Sequence, residues 1–574
     1  VTATDLAALL PLLILAYGAT ALLVGGAFWR NHAGVASIAA VLLALSFGAA
    51  LAVLPLAPRQ VTALLRVDAL TLFFQALLAL GGLALALLSV DYLATSPLGR
   101  ERYYVLLLFA VSGMGVLVGS THFASFFLGL ETVSVSLFGL IGFALRRPAS
   151  QEAGIKYLVL AGTSLSFLLL GMAFLYFQYG TMQFAALAAA PPPSLLVFLG
   201  LGLILVGFAY KLALAPFHMW APDVYQGAPA PVTALVATGS KAAMFALLLR
   251  FTPVFLGRDQ GELFTALTVL AILTMFTGNL LALLQRNLKR LLAYSSVAHM
   301  GYLLIPLLAG GAIGTASLSF YFVSYFITTI AAFGVVAALS QGSEEVEDLE
   351  DYRGLGFARP VLAATLALAM VSLAGIPLTI GFMAKLYIFS AAAHSRLWLL
   401  LVVGVANSGL SAYYYLRVLA ALYSRPAPAR TWRPVRPASA VTLTVLSAAL
   451  VVLGIYPAPL IGLTQRMAAA WRGGGGAASL TRVVQPEQLA QRVGERRVGG
   501  AVAGVAEGGN GAVEELAHEE VGGVFEGRGG LAGGDRPIIS ELPARPAEAL
   551  LTHLLGGGAE LGDERFGLVI AAGE

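Results

Sequence analysis

The chain has 574 residues, 59 % of them apolar and only 11 % charged, with a formal net charge of +4. Soluble proteins carry about 25 % charged residues, so most of this chain is read as facing lipid. It has no cysteine, which excludes disulfides, cysteine-ligated iron–sulfur clusters, c-type haem attachment and thiolate zinc sites.

In chain order, apolar runs of bilayer-spanning length are predicted near 6–27, 34–54, 70–90, 104–119, 122–144, 157–178, 194–215, 231–253, 263–284, 291–309, 315–340, 360–390, 397–423 and 438–462. None alternates with period two, so helices and not a barrel are predicted. The first run lacks a basic segment before it and is as long as the later ones, so it reads as a span and not a signal peptide. The fold class is therefore an all-α integral membrane protein of about 14 transmembrane helices.

The composition changes near residue 473. Residues 1–472 hold 26 Lys+Arg and 15 Asp+Glu, a net of 26 − 15 = +11; residues 473–574 hold 8 Arg and 15 Asp+Glu, a net of 8 − 15 = −7. This tail also holds 24 of the 64 glycines and has no apolar period, so it reads as disordered or as an artefact of translation. Connections after odd-numbered spans hold fifteen basic residues, among them Arg30, Arg146, Lys289, Arg430 and Arg433; those after even-numbered spans hold five, Arg59, Arg66, Arg250, Arg258 and Arg396. The asymmetry places the odd connections in the cytoplasm and the N-terminus outside.

The informative charges are those inside apolar sequence. There are five lysines. Lys289 reads as a loop residue and Lys156 as one that snorkels from a span end. Lys211, Lys241 and Lys385 lie within spans, as does Glu131. A charge near the bilayer centre costs about 2.5–3.5 kcal/mol, so four such charges imply a role, and the chemistry favours protons. Burial favours the neutral amine, so an interior lysine can release a proton, and a nearby carboxylate can hold it there. Arginine cannot do this, and a sodium site would want oxygen ligands instead. No metal site is expected.

Two of these lysines stand beside helix-break signals: Lys211-Leu-Ala-Leu-Ala-Pro216-Phe-His218, and Gly375-Ile-Pro377 with Gly381 ahead of Lys385. Proline frees a carbonyl at mid-membrane, which is tolerated where backbone lines a polar cavity. The pair resembles the broken helices of inverted-repeat transporters. Lys385, about two turns beyond Pro377, is expected below the opened backbone. His299 suits a relay between Lys241 and Lys385, and His218 a lesser place on the same path. The acidic run Glu344–Asp351 reads as a solvated loop.

The stretches Tyr210–Thr233, Lys289–Tyr302 and Asp351–Gly356 resemble the proton-translocating antiporter-like subunits of respiratory complex I, over about residues 60–460. Within that family, Ser411–Arg417 and Lys385 in Gly-Phe-Met-Ala-Lys resemble the N type. Gln226, read as a loop residue, departs from an acidic residue often found there. The resemblance implies two inverted five-helix repeats, each with a Pro-broken helix, and a proton path through Glu131, Lys211, Lys241, His299 and Lys385, with His218 secondary. It implies a membrane subunit of an NADH:quinone oxidoreductase with no cofactor in this chain. NADH, FMN, iron–sulfur clusters and quinone would belong to partner subunits, membrane and peripheral. The implied location is the bacterial inner membrane, with no nucleic-acid partner. A subunit of a multi-subunit cation/proton antiporter is the alternative. The expected division is 1–103, N-terminal helices; 104–423, proton-translocating core; 424–472, a C-terminal helix; and 473–574, the tail.

Overall fold

The computed structural model describes residues 2–28, 31–94, 100–256, 261–340, 345–425 and 434–473. Arg30, Arg258, Glu344, Arg430, Arg433 and the tail from residue 474 lie outside the described residues.

Four helices come first: α1 (Ala3–Ala8), α2 (Leu10–Phe28), α3 (His32–Ala52) and α4 (Ala69–Leu93). Two short antiparallel strands, β1 (Arg59–Gln60) and β2 (Arg66–Val67), lie between α3 and α4. Asp68 caps α4 by accepting from the Thr71 amide, the usual device for an orphan N-terminal N–H.

Next come α5 (Arg100–Gly119), α6 (Phe123–Ile141), α7 (Pro148–Tyr179), the short α8 (Phe184–Ala189), and α9 (Leu195–Leu212) followed by α10 (Trp220–Gly227). Then α11 (Ala230–Leu235) runs through a π-helical turn, Val236–Ser240, into α12 (Lys241–Leu256). The pattern repeats as α13 (Gly261–Leu283), α14 (Leu288–Ala309), α15 (Gly311–Leu339), the short α16 (Leu355–Ala358), α17 (Pro360–Ala374), α18 (Ile380–His394) and α19 (Trp398–Leu422). In both sets the first span packs on the second, the third on the broken pair, and the fifth returns to the first: α12 on α5, and α19 on α13. Five spans is an odd number, so the second set starts from the opposite membrane face and is inverted relative to the first.

The chain is thus an all-α multi-pass membrane protein. Twelve helices among the described residues are long and apolar enough to cross a bilayer, and Leu10–Gly26 and Pro360–Ala374 are shorter apolar helices. The expected C-terminal span 438–462 is two helices, α20 (Pro437–Ile455) and α21 (Ala458–Trp471). Pro457 has no N–H to continue α20, and α21 turns to pack on α4 and α15, burying Leu460, Thr464 and Met467.

In the most apolar 18-residue stretch of each span, Ala230–Leu256 is wholly buried, Leu288–Ala309 is 94 % buried and Gly311–Leu339 83 %, against 22 % for Pro437–Ile455. Helices α11–α12, α14 and α15 are therefore shielded from lipid by the rest, and polar side chains concentrate on them.

Candidate functional site

Both breaks fall where the sequence predicts them. Helix α9 ends at Leu212, with Ala213 left-handed at φ 57°. Helix α17 ends at Ala374, with Gly375 at φ 80°. Each break strands backbone groups in the apolar interior, where an unmet carbonyl costs several kcal/mol. In the first, the Trp220 indole donates to the Tyr210 carbonyl at 2.9 Å and Thr274 Oγ1 accepts from the Ala215 amide at 3.0 Å. In the second, Lys385 Nζ donates to the Ala374 carbonyl at 2.9 Å and to Ser408 Oγ at 2.9 Å. Lys385 therefore does not hang below the opened backbone. It reaches back and occupies the break, because its long stem spans the two turns and the freed carbonyl is the nearest strong acceptor.

Lys211 is buried on α9 and donates to Ser134 Oγ at 2.8 Å and, more loosely, to Tyr157 OH at 3.5 Å. Glu131 lies three residues before Ser134 on α6, hence on the same helix face, and is partly exposed. No ion pair joins Glu131 to Lys211 among the described residues; the carboxylate acts on the ammonium at longer range.

Lys241 is completely buried directly after the π turn and donates to Ser296 Oγ at 2.7 Å. Tyr325 OH donates to the same Ser296 oxygen at 2.7 Å, and Tyr225 OH lies 3.1 Å from it. His299 bonds neither lysine. Its Nδ1 is 2.7 Å from Tyr321 OH and its Nε2 is 3.2 Å from Tyr415 OH, which in turn bonds Ser295. Its ring lies between Tyr325, at 5.3 Å, and Tyr302, at 5.9 Å. Lys385 Nζ is 5.4 Å from the Tyr302 ring, so aromatic hydroxyls fill the intervals between histidine and lysines. His218 is buried in the first break beside Tyr294, and its Nδ1 has no hydrogen-bond partner among the described residues.

Sequence reasoning missed the serines and tyrosines of this line. Ser295, Ser296 and His299 at i, i+1 and i+4 on one helix were a signal, since such spacing puts the first and last on one face. It also misread three polar segments. Lys289 is fully buried on α14, where it bonds the Gln226 and Ala228 carbonyls and the Glu345 carboxylate. The acidic run is solvated only in part: Asp348 and Glu350 are exposed, but the Glu345 side chain is completely buried and also receives Arg147, Tyr92 OH and the Ala230 amide. Burial works against its charge, but the Lys289 and Arg147 cations outweigh this and hold its carboxyl below the ordinary range. Gln226 lies on α10, bonded to Glu347 and Arg290. Arg250 is no connecting residue but sits inside α12, paired through both terminal nitrogens with Asp68.

Two inverted repeats, each with an interrupted helix and an interior lysine tied into hydroxyl groups, define an antiporter-like transport subunit of the membrane. The family described as NADH:quinone oxidoreductase/Mrp antiporter, TM, matches residues 120–411, a stretch containing all six candidate residues. The NADH-quinone oxidoreductase subunit N of Ectopseudomonas mendocina is 42 % identical over 480 residues, covering 81 % of this chain and 97 % of that protein. A chain of respiratory complex I from Thermus thermophilus, solved with bound aureothin, superposes with a TM-score of 0.70 at 35 % identity, covering 79 % of this chain and 99 % of that one. A chain of the Mrp complex from Dietzia shares the fold, with a TM-score of 0.72 at 22 % identity over 83 % of this chain and 99 % of that one. The chain belongs to the NADH-quinone oxidoreductase subunit N family.

Proposed function

We propose that this chain is a membrane-arm subunit of a proton-translocating NADH:quinone oxidoreductase and moves protons through its buried lysines, driven by electron transfer in partner subunits. The observation that carries the reading is the line of interior groups: Lys241, Ser296 and Tyr325, then His299 between Tyr321 and Tyr415, then Lys385 against Ser408. Each member offers a donor and an acceptor state, or a hydroxyl that relays between them.

In this reading Lys211 is the proton-holding lysine of the first repeat and Glu131 biases it. Lys241 passes the proton to the hydroxyl–histidine cluster, and Lys385 releases it. His218, in the first break, serves as a side entry. The path occupies residues 104–423, flanked by 1–103 and 424–472. NADH, FMN, iron–sulfur clusters and quinone belong to partner subunits, membrane and peripheral, because a chain without cysteine offers no thiolate for a cluster. The location is the bacterial inner membrane. The sequence relatives favour this reading over a cation/proton antiporter subunit.

The test is Lys241→Arg and Lys241→Ala in the assembled complex, read as NADH-driven proton uptake by inverted vesicles. A guanidinium stays protonated, so both variants should lose pumping at matched assembly. Wild-type pumping by Lys241→Arg would remove Lys241 from the path.

A further inference from the structure

The ion pair that the path does not use lies at one end of the site, where the broken helix gives way to the helix that carries Lys241. Helix α10 ends at Gly227, and the span Ala230–Leu256 begins three residues later. A helix end leaves carbonyls unmet at its C-terminus and amides unmet at its N-terminus. Both kinds occur here within a few residues, and one buried pair meets both. Lys289 Nζ donates to the Gln226 carbonyl at 2.8 Å and the Ala228 carbonyl at 2.6 Å. Glu345 Oε1 accepts from the Ala230 amide at 2.8 Å, and Lys289 and Glu345 bond each other. The cation thus sits at the negative end of one helix and the anion at the positive end of the next.

We propose that the Lys289–Glu345 pair is a positioning element for the proton path: it splices α10 to the Lys241 helix and thereby fixes Tyr225 and Lys241 against Ser296. Three observations support this. Tyr225 immediately precedes Gln226, whose carbonyl Lys289 holds, and Tyr225 OH lies 3.1 Å from Ser296 Oγ. Ser296 stands seven residues beyond Lys289 on α14, two turns along the same face. One helix therefore grips the joint with Lys289 and the path with Ser296. The pair is also built to stay charged and still: each carboxylate oxygen has two donors, Oε1 from Tyr92 and Ala230, Oε2 from Arg147 and Lys289. With Arg147 also bonded to Glu347, two cations face two anions, and Glu345 has no lone pair left to carry a proton onward. Glu345 belongs to the connection after α15, so the second repeat holds the joint of the first.

This rests on the reading of the chain as a proton-carrying subunit. The experiment is a double-mutant cycle in the assembled complex, with Lys289→Met, Glu345→Gln and the two combined. The readout is NADH-driven proton uptake per assembled complex in inverted vesicles. Each single variant strands a charge and should lose pumping by more than about threefold. The double variant removes both charges but leaves the Gln226 and Ala228 carbonyls unmet, so it should stay impaired by more than about threefold while losing less than the two single losses combined, as coupled neighbours do. Lys289→Arg keeps the charge and the donors but cannot release a proton, so it should pump within about threefold of wild type. Lys289→Met and Glu345→Gln pumping within about threefold of wild type would overturn the proposal, as would a double variant that recovers fully or a Lys289→Arg variant as impaired as Lys289→Met. Should the single variants fail to assemble, Glu345→Asp is read in their place. It keeps the charge but withdraws it from Ala230, so impaired pumping supports the splice and wild-type pumping overturns it. A wild-type complex that oxidises NADH without proton uptake would instead overturn the underlying functional reading.

Discussion

Lys385 holds a freed backbone carbonyl, Lys241 a shared serine hydroxyl and Lys211 a serine one turn from a carboxylate; each buried ammonium is kept in place by neutral oxygens. Neutral partners leave the amine free to lose its proton, where a direct ion pair would pin it. Replacing Lys385 separates charge from packing. Methionine fills similar volume but cannot donate to the Ala374 carbonyl, and an unmet buried acceptor costs about 1–3 kcal/mol. A protonated glutamate can still donate there and can titrate. Lys385→Met should therefore abolish proton uptake and Lys385→Glu should retain part of it, measured in vesicles at equal assembly; equal activity of Lys385→Met and wild type would make the lysine structural. The three interior lysines and Glu131 were legible because charge in an apolar run has a known cost. Lys289 was not, because Arg286 and Arg290 beside it give it the local look of a solvated loop, and its carboxylate partner lies 56 residues further along.

The helices were legible through their length, since a bilayer fixes the span and the sequence marks both breaks with proline. The break at Tyr456-Pro457 was missed because apolar residues continue on both sides of it, and the π turn before Lys241 leaves no mark in composition. The second break also depends on a close approach that only glycine permits: a Cβ on Gly381 would stand 1.9 Å from the Ser372 carbonyl oxygen. The backbone must then shift, at about 1–3 kcal/mol or more. Gly381→Ala should lower the yield of assembled complex, whereas Gly48→Ala, which meets nothing within 4 Å on α3, should leave it unchanged or raise it slightly. Equal yields would show that the break tolerates displacement. The joint between α4 and α12 makes a different demand. Burial disfavours the Asp68 charge, but Arg250 and the Thr71 bonds prevail and hold its carboxyl below the ordinary range. A depressed carboxylate contributes stability above its unfolded value, and that contribution fades as pH falls through the folded one. Asp68→Asn strands Arg250 and should cost about 3–5 kcal/mol at neutral pH. It should also flatten the acid limb of thermal stability; an unchanged acid limb would assign the acid sensitivity to other groups.

At the scale of the whole molecule, five-span repeats make the architecture readable, while the docking of one repeat's connection onto the other's broken helix is a tertiary event that no local pattern announces. Orientation follows from charge, and the structure alters the count. Arg250 is buried inside α12 and Lys289 inside α14, so neither faces the headgroups that read the bias. Removing one from each set leaves 15 − 1 = 14 basic residues in the odd connections and 5 − 1 = 4 in the even ones. Of those four, Arg59 is paired with Asp5, and Arg66 lies 3.6 Å from Asp68. Short connections rich in Lys and Arg stay in the cytoplasm. The N-terminus should therefore lie outside, with the Arg436 connection in the cytoplasm and the Ser120 connection outside. Reporter fusions at those two positions, one active only in the cytoplasm and one only outside, should light up in that order. The reverse pattern would invert the topology and, with it, the direction in which the Lys211-to-Lys385 line carries protons.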